Sequence, residues 1–250
     1  MISVVEQERE KRIMLEICSK SPFGCKISAI ALAYGFDKRF SMFWLDDRHE
    51  AVYCLVDDTM IVAGTILDPL EALSFIKLSG AQTLICAIRN VEAMGLNPTV
   101  AGDILSKQLE AENQVQPVSE EAPIREIYGL LEEVGMVEDE FEAFYLDLSH
   151  RLRHNRARVV TKRIDGELVG CAVVSAVARS AAILSAVAVQ EKYRAGGLGA
   201  ELVRQAEQLL GDKMLYVYIE MERNLDFYKK FGFKKTDTWA SVQLSLERGV

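Results

Sequence analysis

Apolar positions along this chain fall into two patterns. Short runs rich in β-branched residues and bounded by turn formers read as strands, and apolar residues recurring every third or fourth position read as amphipathic helices. In the first half, Val5–Lys20 has helical spacing. Lys26–Ala33, Phe40–Leu45, Ala51–Val56 and Met60–Ile66 read as strands, the last two joined by a turn at Asp57-Asp58-Thr59. A helix over Pro69–Lys77, a strand at Thr83–Ala87 and a short helix around Val91–Met94 come next.

The second half is more regular. Pro123–Glu133 and Glu138–Arg153 read as helices, the latter with Phe141, Phe144, Tyr145, Leu148 and Leu152 on one face. Arg158–Lys162 and Leu168–Val177 form a hairpin around Asp165-Gly166, a strong turn signal. The apolar stretch Val169–Val189 is broken at Arg179-Ser180. A charge there is costly in a bilayer, so two buried strands meeting at that point are the better reading. Ala182–Val189 is the second of these. Then come a Gly-rich turn at Arg194–Gly199, a helix over Gly199–Leu210, a strand at Met214–Ile219, a helix at Leu225–Lys230, and strands around Phe233–Thr236 and Ser241–Leu246. The most polar stretch, Glu110–Pro123, separates an N-terminal α/β domain (1–112) from a C-terminal one (113–250).

Composition narrows the function. Half of the 250 residues are apolar, which excludes disordered and low-complexity classes. A net charge of −8 argues against a general nucleic-acid binder. Five scattered cysteines without C-x-x-C spacing argue against a disulfide framework or zinc site. The three histidines have no metal-ligand spacing, so no metal is expected. The charged start of the chain does not read as a signal peptide. The expectation is a cytoplasmic protein that engages neither membrane nor nucleic acid.

The chemistry concentrates in Ala181–Leu210, where an apolar strand enters a basic, Gly-rich turn that opens a helix. Glycines let the backbone approach a ligand, free amides at the helix start face an anion, and Arg194 adds full positive charge. The expected ligand group is a phosphate or pyrophosphate. A Rossmann site would need G-x-G-x-x-G after the first strand, and a P-loop would need G-K-[ST]; neither occurs.

Arg194-x-x-Gly197-x-Gly199 resembles the R/Q-x-x-G-x-G/A acyl-CoA signature of the GNAT superfamily of N-acyltransferases. Val187-x-Val189 before it and Asn224-Leu-Asp-Phe-Tyr228-Lys-Lys-Phe-Gly232-Phe233 after it resemble neighbouring segments of that family. The resemblance covers somewhat over half of the chain. Ala195-Gly196 departs from it, since family members often place the glycine one position earlier.

This resemblance implies an α/β (α+β) fold with a mixed, splayed sheet flanked by helices. It also implies transfer of an acetyl group from acetyl-CoA, as co-substrate, to a small-molecule or peptide amine by direct attack. The alternative is a non-catalytic CoA-binding or interaction protein that retains the fold. By resemblance, the backbones of Val187 and Val189 pair with the pantetheine arm, and the Val187 N–H polarises the thioester carbonyl. Amides from Ala195, Gly196, Gly197, Leu198, Gly199 and Ala200, with Arg194, hold the pyrophosphate. Asn224 bonds the pantetheine region, and Tyr228 is the general acid for the leaving thiolate. Packing with Phe227 and Phe231 is the bland alternative for Tyr228.

Glu220 and Glu222, at a strand end, are candidates for the base, with solvent-exposed carboxylates as the alternative. Cys171 as an acyl carrier is weaker, because a cysteine in an apolar strand usually fills space. The acidic, aromatic segment Val134–Tyr145 would suit a cationic amine, or be a helix start with carboxylates placed for the dipole. The basic run His150–Arg158 reads as a helix C-terminus. A homodimer stays open.

The first half shows the same strand-helix-strand-helix order over Met60–Leu96. Its turn, Ile66-Leu67-Asp68-Pro69-Leu70, has neither glycine nor arginine. Asp68 would cap the helix with its own negative charge, and Pro69 suits the first turn. This half reads either as a degenerate copy of the same fold, which would not bind CoA phosphates, or as an unrelated α/β domain for packing or partner binding.

Overall fold

A computed structural model describes residues 1–110, 122–137, 140–220 and 224–244. The chain opens with strand β1 (Ile2–Val4) and helices α1 (Glu8–Cys18) and α2 (Pro22–Tyr34). Strands β2 (Ser41–Asp46), β3 (Ala51–Val56) and β4 (Thr59–Gly64) lead to α3 (Pro69–Leu78), β5 (Thr83–Ala87), α4 (Ile88–Ala93) and β6 (Val100–Gln108). Next are α5 (Ile124–Glu133), α6 (Phe141–Arg153), β7 (Arg158–Ile164), β8 (Glu167–Val177) and β9 (Ala181–Val189). The chain ends with α7 (Leu198–Gln208), β10 (Met214–Glu220), α8 (Leu225–Lys229) and β11 (Lys234–Gln243). Among the described residues no helix is long and apolar enough to cross a membrane.

Packing groups the chain into two compact units, Met1–Ser106 with Tyr218–Val250, and Lys107–Val217. This grouping crosses the sequence boundary at 112/113 because β11, the last strand, pairs antiparallel with β5 on one edge and β6 on the other.

In the first unit β1 to β4 form an antiparallel series, and β4 then pairs parallel with β5. Alternation sends Tyr53, Met60 and Val62 into a core with Ala72 and Ile76 of α3 and Val91 of α4. Val52, Cys54, Ile61 and Ala63 are equally buried on the other face, and α1 and α2 pack on these strands. Strands covered on both faces read as unbroken apolar runs.

In the second unit β7, β8 and β9 are antiparallel neighbours, and β9 pairs parallel with β10. Ile127, Leu130 and Leu131 of α5 and Leu148 of α6 pack on Cys171, Val173 and Ala188. Helix α7 covers the opposite face: a Cβ on Gly170 would stand 3.0 Å from the Leu202 side chain. Asp165 and Gly166, at φ 51° and 81°, make the tight β7–β8 turn.

Two expected elements differ. Lys26–Ala33 lies within helix α2, not a strand. A short apolar run cannot distinguish a buried helix from a strand; this one is buried nearly all round, and Ser21 caps it by accepting from the Gly24 N–H. Within the described residues the two C-terminal strands are one, β11, with a register irregularity between Lys235 and Asp237; Ser245 and Leu246 of the expected second strand lie outside those residues. Strands β1 and β6 carry no clear alternation and were not expected.

Gly102 on β6 lets the Trp239 indole of β11 lie across it and donate to the Ile219 carbonyl at 3.1 Å. A Cβ at Gly102 would overlap that carbonyl oxygen and stand 2.6 Å from Trp239 Nε1. Gly102→Ala should cost about 3 kcal/mol, read as a lower urea midpoint. Gly129, in α5 with open space around it, is the control: Gly129→Ala should gain about 0.5–1 kcal/mol.

Candidate functional site

The candidate cradle grows out of β9. Its first residues are held on both edges, by β8 and by β10, and Ala181 to Leu184 are buried. The parallel register with β10 covers only Ala181, Ala182 and Ile183. Beside that point β8 and β9 shift register, with the hydroxyls of Ser175 and Ser185 hydrogen-bonded to each other. From Ser185 onward the strand is more open, and Val187 and Val189 are half-buried. A bulge bends a strand and re-aims the residues after it, and here it precedes the part of β9 expected to meet a ligand.

Beyond Val189 a short 3-10 turn, Glu191–Tyr193, carries the chain outward. Glu167 of β8 anchors it, accepting from Gln190 and Lys192, both at 2.9 Å. Arg194 is exposed and its Nε donates to the Val189 carbonyl at 3.1 Å, which keeps the guanidinium beside the end of β9. Ala195 and Gly197 both have positive φ, 65° and 82°. Gly197 is the N-cap residue of α7 and provides no side-chain cap. Ala195, Gly196 and Gly197 are exposed, so the first amides of an eleven-residue helix adjoin an open backbone. Such amides and the helix dipole together favour an anion.

Ala195 resolves the departure from the signature. The left-handed conformation falls on Ala195, where a glycine would adopt it without strain, while Gly196 is not at positive φ and has space for a Cβ. The turn therefore carries one strained alanine.

Glu220, Asn224 and Tyr228 belong to the other compact unit. Glu220 is exposed at the end of β10. Asn224 is the N-cap residue of α8 and adopts φ 60°. Tyr228 is buried against Phe227 and Phe233, with ring centroids 5.1 and 5.6 Å away. Burial pushes its phenol up to about 12. Phe231 packs on Phe227 at 5.1 Å, and its backbone N–H donates to the Tyr228 carbonyl at 3.0 Å.

Glu222 lies outside the described residues, as do Glu138 and Asp139 of the acidic segment. Within that segment Phe141 is covered by Tyr128, at 5.3 Å, and by the Arg125 guanidinium 4.3 Å above its ring. It therefore helps join α5 to α6. Cys171 is buried, and its thiol is pushed up to about 12 by that burial. A nucleophile needs the thiolate, so Cys171 is a packing residue.

The corresponding turn of the first half is closed. β4 and β5 share three parallel pairs, Thr59 to Ile61 with Thr83 to Ile85, as β9 and β10 do. Beyond them the buried Asn90 side chain spans the end of β4, accepting from the Ile66 N–H at 3.2 Å and donating to the Gly64 carbonyl at 3.0 Å. Asp68 accepts from the Glu71 N–H at 3.0 Å and Pro69 occupies the first turn of α3, as expected. The role of Asn90 was not foreseen, because one asparagine in a short helix carries no signal until its partners are known.

These environments lead to two expected outcomes. Ala195→Gly should raise the unfolding free energy by about 0.5–1 kcal/mol, read by urea denaturation. Cys18, Cys86 and Cys171 are all raised to about 12 by burial, so iodoacetamide at pH 8 should leave all three unmodified by mass spectrometry until the protein is unfolded.

Residues 124–233 match the model of the Acetyltransferase (GNAT) family. An uncharacterized N-acetyltransferase of Chlorobaculum tepidum is 28% identical over 72 residues, which is 29% of this chain and 46% of that protein; the match thus spans about half of that relative's length. A GCN5-related N-acetyltransferase from Sphaerobacter thermophilus superposes with a TM-score of 0.60 at 11% identity, covering 100% of this chain and 97% of its own. A tandem GNAT protein from the clavulanic acid biosynthesis pathway gives 0.57 at 12% identity, covering 96% and 97%. At these identities the structural likeness is one of fold.

Proposed function

The stretch 124–233 belongs to the acetyltransferase (GNAT) family, and on that premise we propose that the chain transfers an acetyl group from acetyl-CoA to an amine. The observation that carries the reading is the open strand-turn-helix: a β9 edge that parts from β10 after Ile183, followed by Arg194 and the uncapped start of α7. These parts match the chemical parts of an acyl-CoA. The half-buried backbone at Val187 and Val189 offers the amide pairing of an added strand. Arg194 and the amides from Ala195 to Ala200 suit a pyrophosphate.

In this mechanism a neutral amine attacks the thioester carbonyl carbon, and the carbon–sulfur bond breaks. The Val187 N–H polarises that carbonyl as a preorganised donor. Glu220, or a water it holds, receives the amine proton. Asn224 orients the pantetheine end. Tyr228 serves the departing sulfur. Its phenol, at about 12, is a weaker acid than an ordinary thiol of about 8.5. Tyr228 therefore acts chiefly as a hydrogen-bond donor to the developing thiolate, with full protonation completed from solvent.

We also propose that sequence halves 1–112 and 113–250 are two copies of this fold, the first of which has lost the acyl-CoA site. Support comes from Asn90, which already satisfies the end of β4, and from Asp68, whose carboxylate stands where a phosphate would approach α3.

Calorimetric titration with acetyl-CoA should give one site per chain, lost in Gly197→Trp. Thiol release with a panel of primary amines should then fall about 100-fold in Tyr228→Phe while acetyl-CoA affinity holds. Binding without thiol release for any amine would favour a non-catalytic CoA-binding protein.

A further inference from the structure

The basic run His150–Arg158 divides into two groups that the sequence does not separate. Arg151 Nε meets Asp147 at 2.7 Å, Arg153 Nε donates to the Ser149 carbonyl at 3.2 Å, and the His150 and His154 rings stack 4.1 Å apart. These groups serve the end of α6, as a helix C-terminus should. Arg156 and Arg158 lie beyond it.

Arg158 opens β7, and just before the strand the Arg156 carbonyl accepts from the Val177 N–H of β8 at 2.9 Å, which holds this segment extended alongside β8. Their side chains, two residues apart, therefore leave the same face. Ala157 and Val159 point into the α5–α6 core, while Lys162 pairs with Glu201 of α7 at 2.9 Å. Arg156 and Arg158 thus share the α7 side of the sheet. Both are half-buried.

Among the described residues neither has a counter-charge. Arg156 Nη1 donates to the Val177 carbonyl at 3.4 Å and Arg158 Nη1 to the Ala157 carbonyl at 2.7 Å. Arg156 Nε is buried without a hydrogen-bond partner. Among the described residues no carboxylate stands within ion-pair distance of either guanidinium. Burial, and then the Arg156 charge, hold Arg158 below its ordinary pKa, so the charge it feels most is a like one. Two neighbouring half-buried guanidiniums are favourably offset by an anion, and a buried donor without a partner calls for a bound ion or water.

We infer that Arg156 and Arg158 form an anion site, separate from the cradle at Arg194, that takes a phosphate dianion, free or as a phosphomonoester. Two fixed positive charges match a dianion, whereas a single carboxylate would leave one uncompensated. Guanidinium forks suit the tetrahedral oxygens. The site stands on the geometry of β7 and β8 and does not rest on the acyltransferase reading.

The test uses the full chain carrying Arg194→Ala, so that phosphate at the cradle does not contribute. Thermal unfolding is followed in inorganic phosphate, glycerol phosphate, acetate and chloride at matched ionic strength, with and without Arg156→Gln/Arg158→Gln. Phosphate should raise the midpoint by about 3 °C over chloride at roughly tenfold its dissociation constant. Acetate should not, and the double substitution should abolish the difference. Loss of the glycerol phosphate effect alone would restrict the ligand to the free ion. A phosphate shift that survives the double substitution is a solvent effect and would overturn the site, as would equal midpoints in phosphate and chloride. An acetate effect as large as that of phosphate would overturn the dianion assignment. If the double variant does not fold, phosphorus NMR line broadening with Arg158→Lys alone reads the same contact: unchanged broadening would remove Arg158 from the site.

Discussion

A strand that stops pairing before it ends leaves backbone donors and acceptors that must find partners elsewhere. This constraint arises twice here. β4 leaves β5 after three parallel pairs, and β9 leaves β10 after three. At the end of β4 the requirement is met internally, by an asparagine side chain that bonds one carbonyl and one N–H. β9 beyond Ile183 has half-buried residues and leads into a backbone kept open by positive φ. One closes on itself, and the other leads into an exposed turn.

The helices after these strands repeat the contrast. Asp68 places a carboxylate at the start of α3, and an aspartate there satisfies an amide and offsets the helix dipole. α7 begins at a left-handed glycine with no side chain to offer, next to an arginine turned back onto β9. The same local problem, four orphan amides at a helix start, is solved by a side chain in one place and has no side-chain cap in the other.

Charge obeys a related logic. The chain is acidic overall, yet its cations are distributed by what they satisfy. Those on α6 meet a carboxylate or the last carbonyls of their helix. Those just beyond it, at the edge of the sheet, reach only backbone oxygens among the described residues. Spacing along the sequence does not separate the two groups; the point at which helix gives way to strand does.

Much of the second half was legible because its signals are local. The Asp165-Gly166 turn, the apolar runs of β8 and β9 and the Gly-rich entry to α7 each depend on residues a few positions apart, and backbone conformation there is set by side-chain sterics. The order of motifs around Arg194 and Tyr228 was legible for the same reason, and with it the family that the stretch 124–233 matches. Tertiary structure decided the rest. Only burial on nearly every side makes Lys26–Ala33 a helix, because an apolar run of that length satisfies either geometry. Only pairing at both edges draws β11 in with β5 and β6, since strand partners distant in sequence leave no local trace. The raised phenol of Tyr228, the unpaired guanidiniums and the asparagine that closes β4 likewise belong to surroundings assembled from remote segments, and desolvation and hydrogen bonding act through those surroundings.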